Sequence, residues 1–162
     1  MTTTTMRRIN YEDFPILDNM SKNAKLAKQA PSILGRGLKE NKALASAYST
    51  DVKDYPVAHL LYNNDECVGI AVAQDVRNAS LSVSIIAENL ENYFESLAEI
   101  ITLSKDDSVK CIYISSVTNE KVKNALGSSY FDCMPLSQET VHILEEVEIS
   151  FDEGNDEYTI RL

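Results

Sequence analysis

The stretch SLSVSIIAENLENYFESLAEII, residues Ser80–Ile101, changes its hydrophobic period midway. Leu81, Val83, Ile85 and Ala87 alternate with Ser80, Ser82 and Ser84, the period of two that marks a half-buried strand. Further on, Phe94, Leu97, Ala98 and Ile101 recur at three- and four-residue steps, the stripe of a helix. Asn92, with Glu95 three residues later, reads as a capping box at its start. Lys105-Asp106-Asp107 ends the helix. A strand that runs into a helix and then a strand implies a parallel crossover, and Lys110–Val117, with Ile112 and Ile114 on one face, is the returning strand.

Outward from this unit the pattern is mostly β. Val57–Tyr62 ends at the turn Asn63-Asn64-Asp65. Cys67–Gln74 follows, with Val68, Ile70 and Val72 on one face, and Asp75–Asn78 turns the chain again. With Ser80–Ala87 these make an antiparallel meander. Upstream, residues 1–5 are a polar, frayed lead-in, and Arg7-Arg8-Ile9 is a short strand. Asn10 caps a helix that tolerates Pro15 in its first turn, and Pro31 stops it. A second helix runs from about Ser32 to Tyr48, weakened by Gly35 and Gly37. Downstream, Thr118 or Asn119 caps a short helix carrying Val122, Ala125 and Leu126. Val141–Phe151 and Tyr158–Leu162 read as two strands around the turn Asp152-Glu153-Gly154-Asn155. The expectation is one α/β (α+β) domain over residues 1–162. Its central sheet is mixed, mostly antiparallel, with about seven strands and about four flanking helices.

Composition bounds the function. At 162 residues and 44% hydrophobic, the chain can bury a sizeable core. The net charge of -10 is uneven: eight basic residues face four acidic ones in Met1–Tyr48, and six face thirteen in Ser49–Gln138. From Glu139 onward Arg161 stands against eight carboxylates. Such a field repels nucleic acid and anionic membrane. No apolar run approaches the roughly 20 residues that span a bilayer. Met1–Asn10 lacks the apolar core of a secretory signal, so the expected location is cytoplasmic. Cys67, Cys111 and Cys133 show no C-x-x-C spacing, and the first two read as small buried hydrophobes within strands. With His59 and His142 the only histidines, no metal site is expected.

The order strand, two helices, three antiparallel strands, helix, strand, helix, two strands resembles the GNAT N-acetyltransferase fold along nearly the whole chain. RRINYEDFPIL, Arg7–Leu17, looks like that family's opening strand and first helix, with Asp13 near its usual acidic position. In TNEKVKNALGSSYF, Thr118–Phe131, Asn119 and Phe131 sit where the family's N-x-x-A…G-F segment places them. DEGNDEYTIRL, Asp152–Leu162, looks like its closing hairpin.

The resemblance implies a turn, R/Q-x-x-G-x-G/A, that holds the diphosphate of acetyl-CoA after the fourth strand. Glycines there let backbone N–H groups converge on phosphate, and the following helix N-terminus favours negative charge. The matching stretch here, Ala87-Glu88-Asn89-Leu90-Glu91-Asn92, has no Gly, Arg or Gln. Asn89 can adopt a left-handed conformation but does not replace such a loop. Glu88, Glu91 and Glu95 are expected to crowd the diphosphate. At an effective dielectric of about 20, a like-charge contact near 4 Å costs about 4 kcal/mol before screening, more than the roughly 0.3–1 kcal/mol of a helix terminus. The same carboxylates otherwise stabilise a first helical turn. Gly35-Arg36-Gly37-Leu38 mimics part of a phosphate loop but has no strand behind it, so it reads as a bend. Many relatives place a proton-donating Tyr seven residues beyond the Asn. That position is Leu126 here, and Tyr130, four residues further, reads as a packed aromatic.

The expected function is therefore a GNAT-like domain that has lost acetyl-CoA catalysis. It acts as a binding or structural accessory protein, a role that degenerate relatives fill among bacteriophage proteins. No cofactor is then expected. The expected partner is a protein, basic in character, met by the acidic hairpin Glu145–Glu157 or by a sheet edge, without direct nucleic acid or membrane contact. The alternative is a divergent acetyl-CoA-dependent N-acetyltransferase acting on a cationic amine. If acyl-CoA binds, the family places it on the backbone of Ile85, Ile86 and Ala87, within reach of Asn119. Glu66 and His59 are conceivable general bases, although a lone strand His is more often structural. A third reading, from net charge alone, is an acidic mimic of nucleic acid.

Overall fold

A computed structural model describes residues 4–8, 15, 16, 19, 57–76, 79–106, 108–115, 117, 119–131 and 134–162. Seven strands form one sheet: β1 (Thr4–Arg8), β2 (Val57–Asn63), β3 (Glu66–Val76), β4 (Ser80–Ala87), β5 (Cys111–Ser115), β6 (Glu148–Asp152) and β7 (Glu157–Arg161). Their spatial order is β1-β2-β3-β4-β5-β7-β6. β4 and β5 pair in parallel, and every other neighbouring pair is antiparallel. The helices are α1 (Leu90–Asp106), α2 (Glu120–Ser128) and α3 (Gln138–Glu145). The expected helices over residues 10–48 lie outside the described residues, save that Pro15, Ile16 and Asn19 have helical backbone.

The meander and the crossover are as the hydrophobic periods require. Leu81, Val83, Ile85 and Ala87 of β4 face the helices and join Phe94, Leu97, Ala98 and Ile101 of α1 in one core with Ile112, Ile114 and Ile160. Leu60, Ile70 and Ile86 point to the opposite face and are buried as well. Asn64 supplies the left-handed residue of the β2–β3 turn at φ 56°.

Four expectations are corrected. The capping box at Asn92 and Glu95 does not form, because α1 begins at Leu90 and Asn89 is its cap, its Oδ1 accepting the Asn92 N–H at 2.9 Å. Asn92 and Glu95 instead hold the edge strand: Thr4 Oγ1 donates to Asn92 Oδ1 at 3.0 Å, and the Thr4 N–H to Glu95 Oε2 at 2.6 Å. Val141–Glu145 is helical rather than extended. Ser137 caps α3 through Thr140 N–H at 3.1 Å, and Val141 and Leu144, three residues apart, both turn inward. β3 runs to Val76, beyond the turn expected at Asp75. Cys67 and Cys111 are half-buried rather than fully packed, whereas Cys133 lies outside the described residues.

The closing hairpin inserts β7 between β5 and β6, which leaves β6 at the sheet edge. The acidic segment expected to meet a partner is thus an edge strand and its turn, with Phe151 48% exposed and stacked on Tyr158 at 4.8 Å.

Candidate active site

β4 outruns β5. Among the described residues their last pair is Val83 with Ile114, while β4 continues to Ala87. On its other flank β4 stays joined to β3 as far as Ala87 opposite Gly69, and the Glu88 N–H then donates to the Val68 carbonyl at 2.9 Å. Val68 is the extra residue of a bulge, since Leu61 pairs with Gly69 and Tyr62 with Cys67. Gly69 permits the contact. A Cβ there would strike the Ile86 carbonyl oxygen and lie 2.9 Å from Ala87 Cα. The tail of β4 is thus held to β3, with no pair to β5 beyond Val83 among the described residues, and we call this stretch the opening between β4 and β5. The Glu88–Val68 bond also fixes the alternation, so that Ile85 turns its N–H and C=O toward the β5 side.

Between the first residue of α1 and the outer face of α2 lies a groove of about 360 Å³, lined by Leu90, Lys121, Asn124, Ala125, Ser128, Tyr130 and Met134. Its volume is in the usual range for a small-molecule site. α2 forms one wall. Asn119 caps that helix, its Oδ1 accepting from Lys121 N–H at 2.9 Å and Val122 N–H at 3.4 Å. Val122, Ala125 and Leu126 are buried, which leaves Lys121, Asn124 and Ser128 as an exposed stripe at i, i+3 and i+7. Ser129 then takes a left-handed conformation at φ 54° and swings the chain, so that Tyr130 faces out and Phe131 is fully buried.

Two further expectations change here. Tyr130 is not a packed aromatic: it is 54% exposed and lines the groove. The expected crowd of carboxylates loses one member, Glu95, while Glu88 and Glu91 stay at the β4–α1 turn. Glu95 is turned to β1, and of α1 only Leu90 lines the groove. Ile85, Ile86 and Ala87 have buried side chains, so their contribution to any ligand is through the backbone. Asn119 serves α2 as its cap, outside the groove lining. Glu66 is exposed at the end of β3 nearest the opening, and His59 is partly buried in mid-β2, in register with Ala71. Gly35–Leu38 lies outside the described residues. Sequence reasoning missed Lys121, Asn124 and Ser128. Their signal was the polar stripe opposite Val122, Ala125 and Leu126.

Asn89 does not use the left-handed conformation open to it, since its side chain is committed to the α1 cap. Close by, Tyr93 is 5% exposed and its hydroxyl has no hydrogen-bond partner among the described residues. Burial, and then the neighbouring Tyr158 phenol, push the Tyr93 pKa well above its ordinary value of 10.0. In the unfolded chain this phenol ionises near pH 10, while the folded one stays protonated, so stability falls as pH rises above about 10. Tyr93→Phe removes both the unpaired hydroxyl and this titration. It is expected to raise stability by about 1 kcal/mol at neutral pH and to flatten the alkaline limb, read by urea denaturation across pH 7–11.

Among the described residues no group of three or more His, Cys, Asp and Glu is placed to hold a metal ion. None of their helices is long and apolar enough to cross a membrane.

No family model and no curated protein sequence matches the chain. Solved structures do. A ribosomal L7/L12 α-N-protein acetyltransferase in complex with coenzyme A superposes with a TM-score of 0.68 at 12% identity, over 99% of this chain and 93% of that one. Spermidine N-acetyltransferase from Vibrio cholerae, in complex with CoA and spermine, gives 0.58 at 16% identity over 98% and 93%. A GNAT-family acetyltransferase from Staphylococcus aureus gives 0.59 at 12% identity over 98% of both chains. The seven-stranded sheet, its opening between β4 and β5, and these superpositions agree: the chain has the GNAT acetyltransferase fold.

Proposed function

We propose that the protein is a divergent N-acyltransferase, which takes an acyl-coenzyme A thioester into the opening between β4 and β5 and passes the acyl group to an amine. The observation that supports this reading is the continuation of β4 to Ala87 beyond Val83, its last residue paired with β5 among the described residues, together with a groove between Leu90 and α2. A pantetheine arm presents amides that can pair with a strand flank, and Ile85 offers a backbone N–H and C=O on that side. The groove beyond it takes the rest of the molecule. The bound CoA of two of the solved relatives supports the same choice.

The chemistry asks little of the protein. A neutral amine attacks the thioester carbonyl, the C–N bond forms as the C–S bond breaks, and the nitrogen's proton leaves. Orientation supplies much of the acceleration. The departing sulfur takes up one proton as the nitrogen gives one up, so that free thiol and amide are the products. The net charge of -10 draws cationic amines toward the site.

Acetyl-CoA-dependent release of free thiol, followed over a panel of polyamines, aminoglycosides and peptide N-termini, tests the reading. One thiol per amide is expected. Ser128→Trp fills the groove from an exposed position and should raise the KM for acetyl-CoA about tenfold while the fold survives. Acetyl-CoA binding without turnover on any amine would leave the accessory role through the acidic hairpin standing instead. No binding at all sinks the enzyme.

A further inference from the structure

We infer that this chain holds the phosphates of its coenzyme A thioester from α2, through Lys121 with Asn124 and Ser128, rather than from the turn between β4 and α1. The inference rests on the function just proposed and adds a recognition element to it.

Three of the N–H groups around the β4–α1 turn are used within the fold. Glu88 N–H goes to the Val68 carbonyl at 2.9 Å, Asn92 N–H to Asn89 Oδ1 at 2.9 Å, and Tyr93 N–H to the Asn89 carbonyl at 3.2 Å. The turn contains no glycine that would let further N–H groups converge on an anion. Its two carboxylates, Glu88 and Glu91, oppose negative charge.

The opposite wall has the complementary chemistry. Lys121 lines the groove, is exposed, and forms no ion pair among the described residues, whereas its neighbour Lys123 is paired with Glu120 at 3.7 Å. Asn124 and Ser128 continue the same stripe with an amide and a hydroxyl, and both also line the groove. At 1.5 Å per helical residue the stripe is about 10 Å long, enough to meet a diphosphate along its length. The α2 terminus is not itself the anion site, because Asn119 Oδ1 covers the N–H groups of Lys121 and Val122. The ammonium provides the charge. In a protein of net charge -10, a polyanion is held only where a local cation overcomes the general field.

Calorimetric titration of the full chain with coenzyme A and, separately, with pantetheine, which lacks the phosphates, isolates this contact. Lys121→Gln should weaken coenzyme A binding about tenfold, leave pantetheine unchanged and flatten the salt dependence of coenzyme A affinity. Lys121→Arg should retain most of the affinity, and Lys123→Gln should change neither ligand. If Lys121→Gln binds coenzyme A as tightly as the native chain, the phosphates are held elsewhere and this inference falls, while the acyltransferase reading survives. If the native chain binds neither coenzyme A nor pantetheine, both fall.

Discussion

Gly69→Val is expected to lower stability by about 3 kcal/mol or more, which for a chain of this size moves the thermal midpoint down by about 10 °C. Most glycines in strands are replaced at a gain, because valine suits a pleated surface better by up to about 1 kcal/mol. Here the gain is overwhelmed. The added Cβ would meet the Ile86 carbonyl oxygen and the Ala87 Cα, both backbone atoms of a strand in the middle of the sheet. Neither can swing aside as a side chain would. To relieve the clash, the tail of β4 must lift from β3, and the bond from Glu88 N–H to the Val68 carbonyl stretches with it. Gly69→Ala brings the same first atom without the branches and should lie between. Because this contact holds the tail of β4, the strand proposed to meet the coenzyme, the alanine variant should also bind coenzyme A more weakly than its own stability loss explains. Thermal and urea midpoints unchanged in Gly69→Val would show that the two strands are not in this contact.

The sequence carried the local part of this architecture. The switch of period between Ala87 and Phe94, the turn at Asn64 and the cap of α2 each depend on a few adjacent residues; the first two are where the pattern puts them, and of the two caps it offers, Thr118 and Asn119, the structure uses Asn119. The misreadings share a different cause. Val-His-Ile-Leu, residues 141–144, satisfies a strand and a helix equally, and the helix that forms is capped by Ser137 and buries Val141 and Leu144. Asn92 and Glu95 have the spacing of a capping box but are used by Thr4, 88 and 91 residues away, which no local rule sees. The opening between β4 and β5 is a fact of three strands at once. It involves Gly69 opposite Ala87, a bulge at Val68 and a β5 whose pairing with β4 among the described residues ends at Ile114. The site was legible as a place, the end of the fourth strand, and less so as a chemistry. Counting charges along Glu88–Glu95 predicts a wall of carboxylates, whereas the groove takes its lining largely from α2 and the segment after it.

That segment is held by one ring, and Phe131→Ala should cost about 4 kcal/mol, the usual scale for emptying a buried phenyl site. Phe131 is fully buried, with its ring edge-on to Phe94 at 5.3 Å, and Phe94 in turn meets Tyr93 at 5.1 Å. Each such aromatic pair is worth about 0.5–1.5 kcal/mol beyond the area it buries, so the alanine loses packing and pairing together. Two backbone bonds join the described residues that follow it. Met134 N–H reaches the Phe131 carbonyl at 3.2 Å, and Leu136 N–H the Met134 carbonyl at 2.7 Å. Tyr130 and Met134, the groove residues on either side, therefore owe their places to the anchor between them. Phe131→Leu keeps most of the volume and should cost only about 1–1.5 kcal/mol, with the groove still formed. The pair of variants separates anchoring from bulk hydrophobicity: the alanine should lose coenzyme A binding under conditions where it remains folded, and the leucine should not. Equal and small losses in both would mean that the position of Tyr130 is fixed by α2 alone, through the left-handed turn at Ser129.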